Sequence, residues 1–113
     1  MKKNRYVPER GDVIWLNFDP QSGKEQAGHR PALVLSPKSY NETVGLAICC
    51  PITSRVKGYP FEVYLPKGNK MEGAVLSDHV KSMDWKMRNA RFICKINGTF
   101  LYEVTQKLSL LIS

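Results

Sequence analysis

Apolar and polar residues alternate or cluster in short runs over most of the chain, then change period once, near its end. Val13-Ile-Trp-Leu-Asn-Phe18 opens after Gly11-Asp12 and alternates loosely as a strand does, until Asp19-Pro20 breaks it. Pro31-Ala-Leu-Val-Leu-Ser36 is short and almost wholly apolar, the pattern of a central strand. Pro37 to Asn41 reads as a turn or a single helical turn. Gly45 to Thr53 is the longest apolar run, and Pro51 within it predicts a bulge or a strand end. Phe61-Glu-Val-Tyr-Leu65 alternates as a half-exposed strand should, after a basic loop from Ser54 to Pro60. A turn from Pro66 to Glu72 precedes three further strand-like pieces, Gly73–Ser77, Val80–Met83 and Phe92–Ile96.

From Thr99 onward Phe100, Leu101, Val104, Leu108, Leu111 and Ile112 fall at helical spacing. Asn97-Gly98 supplies a turn before them, and Thr99 is the expected N-cap. Five to seven short strands followed by one amphipathic helix predict a mainly β fold. It is a twisted antiparallel sheet or partly open barrel, with the helix over one face. One helix leaves the other sheet face to be covered, and pairing of two copies is a natural remedy. No repeat, linker or low-complexity tract divides the 113 residues, so residues 1–113 are expected to form one domain.

Charge adds a partner class. Lys and Arg number 17 against 10 Asp and Glu, a formal net charge of +7. Such a balance favours a polyanion, nucleic acid first and an acidic protein second. Three cysteines, Cys49, Cys50 and Cys94, lack the spacing of a disulfide framework or a zinc site. Vicinal Cys49 and Cys50 are expected on opposite faces of a strand, as buried reduced thiols. The basic N-terminus is not followed by an apolar signal-type run, and no stretch reaches membrane-spanning length, so a cytoplasmic protein is expected.

The candidate chemistry lies between the first two strands, where Glu25, His29 and Arg30 sit within six residues with Gln26 and Gly28 between them. Arg30 directly precedes Pro31, which biases its backbone toward extended conformations. That makes it a loop–strand junction, where a sheet can hold the side chain firmly. Cutting RNA without a metal or cofactor uses the neighbouring 2′-hydroxyl as nucleophile. It needs an acceptor for that proton, a cation for the charge growing on the phosphoryl oxygens, and a proton for the leaving 5′-oxygen. Glu25 suits the first task. Arg30 offers a permanently charged planar fork for the second, and its high pKa makes it a poor proton donor. His29 can trade protons near neutral pH.

A set of ordered segments carries a resemblance. Arg5-Tyr-Val-Pro8, Gly11-Asp-Val-Ile-Trp15, Phe18-Asp-Pro20, Glu25-Gln-Ala-Gly-His-Arg-Pro-Ala32, Val34-Leu-Ser-Pro37, Lys57-Gly-Tyr-Pro-Phe-Glu62 and Val80-Lys-Ser82 together resemble the MazF/PemK toxins of bacterial toxin–antitoxin pairs. The likeness runs from about Arg5 to about Trp85. Beyond Lys86 only the pattern of basic stretch, strand and helix agrees.

The resemblance implies an SH3-like barrel, shared with the Kid and CcdB toxins and built as a homodimer. It implies sequence-specific cleavage of single-stranded RNA, leaving a 2′,3′-cyclic phosphate or 3′-phosphate and a 5′-hydroxyl. It puts the catalytic arginine on Arg30, the supporting loop glutamate on Glu25 and the catalytic hydroxyl on Thr53, with Ser54 a neighbouring candidate. Glu25 is left as either base or loop organiser. His29 becomes optional, an RNA contact rather than the acid. His79 stands where these chains often carry glutamine. An acidic MazE-like antitoxin is the implied protein partner, covering the same basic groove.

Cations and aromatic residues fill out the RNA reading. Lys81, Lys86, Arg88, Arg91 and Lys95 are opposed only by Asp84, and Arg55 and Lys57 form a second cluster. Such patches neutralise phosphates, and aromatic rings beside them stack bases. The expected RNA contacts are His29, Gln26, Ser54, Arg55, Lys57, Lys81, Lys86 and Arg88, while Phe61 and Phe92 are read as core and Trp15 as core or dimer interface. Two other functions fit the same fold. One is a CcdB-like gyrase-binding toxin, which would leave Glu25, Arg30 and Thr53 without a use and whose Trp-Gly-Ile ending is missing from Leu110-Leu-Ile-Ser113. The other is a plain RNA-binding module, which would protect RNA rather than cut it.

Overall fold

The computed structural model describes residues 5–18, 28–68 and 71–113. Seven strands and two helices follow in order: β1 (Asp12–Asn17), β2 (His29–Val34), α1 (Lys38–Val44), β3 (Ala47–Thr53), β4 (Glu62–Tyr64), β5 (Ala74–Leu76), β6 (Lys81–Met83), β7 (Arg91–Lys95) and α2 (Gly98–Ile112). Every strand pairing is antiparallel. The sheet runs β4-β5-β3-β2-β1-β7, with β6 added alongside β3. The mainly antiparallel sheet with a C-terminal helix is as the hydrophobic pattern predicts.

β3 holds the sheet together by serving three neighbours. It pairs with β2 on one side, and on the other first with β6 through Ala47–Cys49 and then with β5 through Ile52 and Thr53. Pro51 lies where β3 changes partner. It therefore neither bulges nor ends the strand: on that side no ladder bond awaits the N–H it lacks.

Strand alternation sends side chains into two cores, one on each face. Val13, Leu33, Cys50 and Ile52 meet Phe100, Val104 and Leu108 of α2. Ile14, Leu16, Ala32, Val34 and Cys49 form the other core with Met83, Trp85 and Ala90. The second face is thus closed by the chain itself, through the turn between β6 and β7 and through Tyr6 and Val7, not left bare. Cys49 and Cys50 divide between the two cores as expected. Burial in apolar surroundings pushes both thiols up, Cys50 to about 12.

The helices differ from expectation in detail. α1 runs for seven residues where a turn or a single helical turn was expected, because its one buried side chain is polar, Asn41, and leaves no apolar stripe to read. It ends at Gly45, whose φ of +84° only glycine adopts without strain. α2 is capped by Asn97, not Thr99: the Asn97 side chain accepts from the Phe100 N–H at 2.8 Å. Its core stripe is Phe100, Val104 and Leu108, while Leu111 and Ile112 face outward. No helix among the described residues is long and apolar enough to cross a membrane.

Asn41 is fully buried and fully bonded. Its amide donates to the carbonyls of Pro8 and Ser36, its side-chain oxygen accepts from the Ser36 hydroxyl, and its own carbonyl accepts the Trp85 indole N–H at 3.0 Å. Four separate segments are tied at one point. Nearby, buried Asp12 accepts from Tyr6, from the Glu9 N–H and from Lys95.

Candidate active site

Arg30 and Thr53 are far apart in the chain, on strands that pair with each other. β2 and β3 pair Val34 with Cys49, Leu33 with Cys50 and Ala32 with Pro51. The pairing ends there: Arg30 lies two residues before Ala32 on β2, and Thr53 two residues after Pro51 on β3, where β3 has passed to β5. Alternation puts both on the same face: Arg30 follows Ala32 and Val34, and Thr53 follows Cys49, all of the second core. Lys81 pairs with Cys49 and shares that face.

Thr53 is held from three directions. It is nearly buried, at 6% exposure, and its hydroxyl oxygen accepts from the Arg55 N–H at 3.1 Å. An oxygen that already accepts one bond still has its proton to give, which suits donation to a phosphate oxygen. Its main chain is paired with Ala74, and Gly73 presses against it. A Cβ on Gly73 would stand 2.2 Å from the Thr53 carbonyl oxygen, and the φ of Gly73 is +122°. Only glycine fits there.

The loop after Thr53 carries Ser54, Arg55 and Lys57, all exposed. Its shape comes from Glu62, the first residue of β4. Glu62 is 8% exposed, and its carboxylate accepts the backbone N–H groups of Lys57, Gly58 and Tyr59 at 2.9–3.2 Å. The Tyr59 hydroxyl donates to Asp78, which raises the Tyr59 pKa. The strand alternation predicted Glu62 on the solvent side. It is buried because the loop's own amides surround it. Glu62, Gly73 and Asp78 are site-building residues that the pattern did not single out; the Lys57–Glu62 segment of the resemblance was the one available signal.

The other expected contacts separate. His29 precedes Arg30 and turns to the opposite face, stacked on Trp15 with ring centroids 6.2 Å apart. Arg88 donates to the Asn17 carbonyl at 3.0 Å, and its own carbonyl accepts the Asn17 N–H at 3.1 Å, so it clasps the end of β1. Lys86 lies over the Trp85 ring, 5.7 Å from its centroid, beside a cavity of about 780 Å³ also lined by Arg5, Tyr6 and Asn89. That cavity includes Gly45 and so lies toward the Asn41 end of β3, away from Thr53. Phe92, expected in the core, is half exposed and meets Tyr6 edge to face. Glu25 and Gln26 lie outside the described residues. The described residues contain no group of three or more His, Cys, Asp or Glu arranged to hold a metal ion.

Residues 9–112 match the PemK-like, MazF-like toxins of type II toxin–antitoxin systems. The chain belongs to this toxin family. It is similar to the endoribonuclease toxin MazF of Escherichia coli K12, 55% identical over 87 residues that span 77% of this chain and 78% of that protein. The crystal structure of MazF from Deinococcus radiodurans superposes with a TM-score of 0.92 at 52% identity, over 95% of this chain and 97% of that one. A MazE–MazF crystal structure from the same organism gives 0.85 at 47% identity, over 96% and 97%. Relatives named as endoribonucleases favour the nuclease reading of this toxin-family chain over the gyrase-binding one.

Proposed function

We propose that the chain is an endoribonuclease toxin that cuts single-stranded RNA at a short motif, without metal, and so blocks translation. One observation supports the reading: the paired strands β2 and β3 carry a half-buried arginine and a nearly buried threonine near the same end of the pair and on the same sheet face. In the reaction the 2′-oxygen of the RNA attacks the adjacent phosphorus and the bond to the 5′-oxygen breaks. A 2′,3′-cyclic phosphate and a 5′-hydroxyl result. Arg30 stabilises the charge building on the phosphoryl oxygens, the Thr53 hydroxyl donates to one of them, and the loop carboxylate Glu25 takes the 2′-hydroxyl proton or holds the loop that does so. The leaving 5′-oxygen takes up a proton from solvent water.

Ser54, Arg55, Lys57 and Lys81 surround this centre as RNA contacts. Gln26, His29, Lys86 and Arg88 serve as outer contacts, and His29 takes no part in the chemistry. The toxin works as a homodimer in the cytoplasm, and an acidic MazE-like antitoxin silences it by covering the basic groove. The MazE–MazF complexes of Deinococcus radiodurans support that partner.

The test is incubation of purified protein with a long single-stranded RNA in EDTA, beside Arg30→Ala. Cuts at a recurring motif are expected from the wild type, with 5′-hydroxyl ends, and their loss in the variant. Intact RNA with the wild type would overturn the reading. Adding saturating cognate antitoxin is expected to stop the cutting; unimpaired cleavage would refute the proposed silencing.

A further inference from the structure

The loop between Thr53 and β4 is rich in exposed cations, yet its geometry is set by a buried anion. Three consecutive backbone N–H groups, of Lys57, Gly58 and Tyr59, converge on the Glu62 carboxylate. Consecutive amides turned inward make an anion-binding concavity. Here the chain fills that concavity itself. The Tyr59 hydroxyl bonded to Asp78, and Lys107 of α2 donating to the Pro60 carbonyl at 2.9 Å, fix the far side of the loop. At its near side, the Arg55 N–H is the group that donates to the Thr53 hydroxyl oxygen. The path from Glu62 to Thr53 is therefore short and continuous: carboxylate, the amides of residues 57–59, the Arg55 amide, the hydroxyl.

We infer that Glu62 is a positioning residue for the cleavage reaction, holding the 54–60 loop in one conformation so that the Thr53 hydroxyl is aimed and Arg55 and Lys57 are presented to RNA before it binds. This rests on the proposed RNA cleavage and deepens it. A loop ordered in advance does not have to be ordered by the substrate, so its order should appear in KM, and the aim of Thr53 should appear in kcat. A carboxylate accepts all three amides. A glutamine keeps the Oε1 that accepts from all three amides but replaces the second oxygen, which accepts from Lys57 alone, with an NH2, so it should restore part of the effect.

The test compares Glu62→Ala, Glu62→Gln, Thr53→Val and the Glu62→Ala/Thr53→Val double variant in the full chain. Amide exchange of residues 55–59 is expected to speed up by about ten-fold or more in Glu62→Ala, with the sheet amides unchanged. Cleavage should show a higher KM and a lower kcat, each partly restored in Glu62→Gln. The double variant should lose little beyond Thr53→Val in kcat, because both changes act on one hydroxyl. Unchanged loop exchange, or losses in kcat that simply multiply in the double variant, would overturn the inference. If Glu62→Ala does not fold, Glu62→Gln decides by the same exchange and coupling measurements. A wild-type protein that fails to cut RNA would sink the proposed function and the positioning role with it, whereas unchanged loop exchange beside intact wild-type cleavage would sink the positioning role alone.

Discussion

The two ends of the β2–β3 pair are built to opposite specifications. At the end where β2 finishes and β3 begins, Asn41 is fully buried and bonds to three other segments, and Trp85 is sealed beneath them. At the other end Arg30 is half-buried, Thr53 borders solvent-facing residues 54–60, and order comes from a few hydrogen bonds to backbone. A buried polar network rigidifies only when every member is satisfied, and the Asn41 end meets that condition. The open end instead presents the side chains of Arg55 and Lys57 to solvent. One pair of strands thus separates stability from chemistry along its length.

Substitutions can break that division or sharpen it. Arg30→Ala should reduce kcat by about 100-fold or more, as loss of a group that stabilises transition-state charge does, with little change in melting temperature. Asn41→Ala should do the reverse: roughly 2–4 kcal/mol of unfolding free energy lost in urea titration, since several buried partners are left unbonded, with cleavage per folded molecule kept. Gly73→Ala sits at the boundary and should violate the division. Its Cβ must displace the Thr53 carbonyl, so we expect roughly 1–3 kcal/mol of destabilisation together with a fall in kcat.

Tyr6→Phe should cost about 1 kcal/mol, from its bond to buried Asp12, without touching cleavage. It also has a pH signature. Burial first, and then the Asp12 hydrogen bond and charge, raise the Tyr6 pKa above its ordinary 10.0. The folded state therefore favours the neutral hydroxyl. That contribution is present in full below pH 10 and declines as pH rises past it, so wild-type stability should fall more steeply there than that of Tyr6→Phe. Smallest of all, His29→Ala should leave kcat within roughly two-fold, because its ring stacks on Trp15 across the sheet from Arg30. A loss comparable to that of Arg30→Ala would return His29 to the chemistry.

Much of this architecture was legible from periodicity. The runs later seen as β1, β2 and β3 and the helical stripe of Phe100, Val104 and Leu108 are strong because apolar burial dictates them. The length of α1 was missed because the residue that anchors it is an asparagine, and hydrophobic patterns are blind to a buried amide. Pro51 misled because its tolerance depends on β3 changing partners, a property of the whole sheet. Among site residues, Arg30 was marked by its place before Pro31, whereas Thr53 came only from resemblance. No local spacing could join the two, since they stand on separate strands. Glu62 was hidden by its own alternation, which assigned it to solvent before the loop that encloses it was known.

The contrast in tryptophan settings has a spectroscopic consequence. The chain has two such residues, and the fold places one at each end. Trp85 is 7% exposed with its indole N–H bonded, while Trp15 is 37% exposed and stacked on His29. Their emission is therefore resolvable by a soluble quencher, which reaches Trp15 and spares Trp85. Trp15 becomes a built-in optical gauge of the His29 face of the sheet, and Trp85 an internal standard for the folded core.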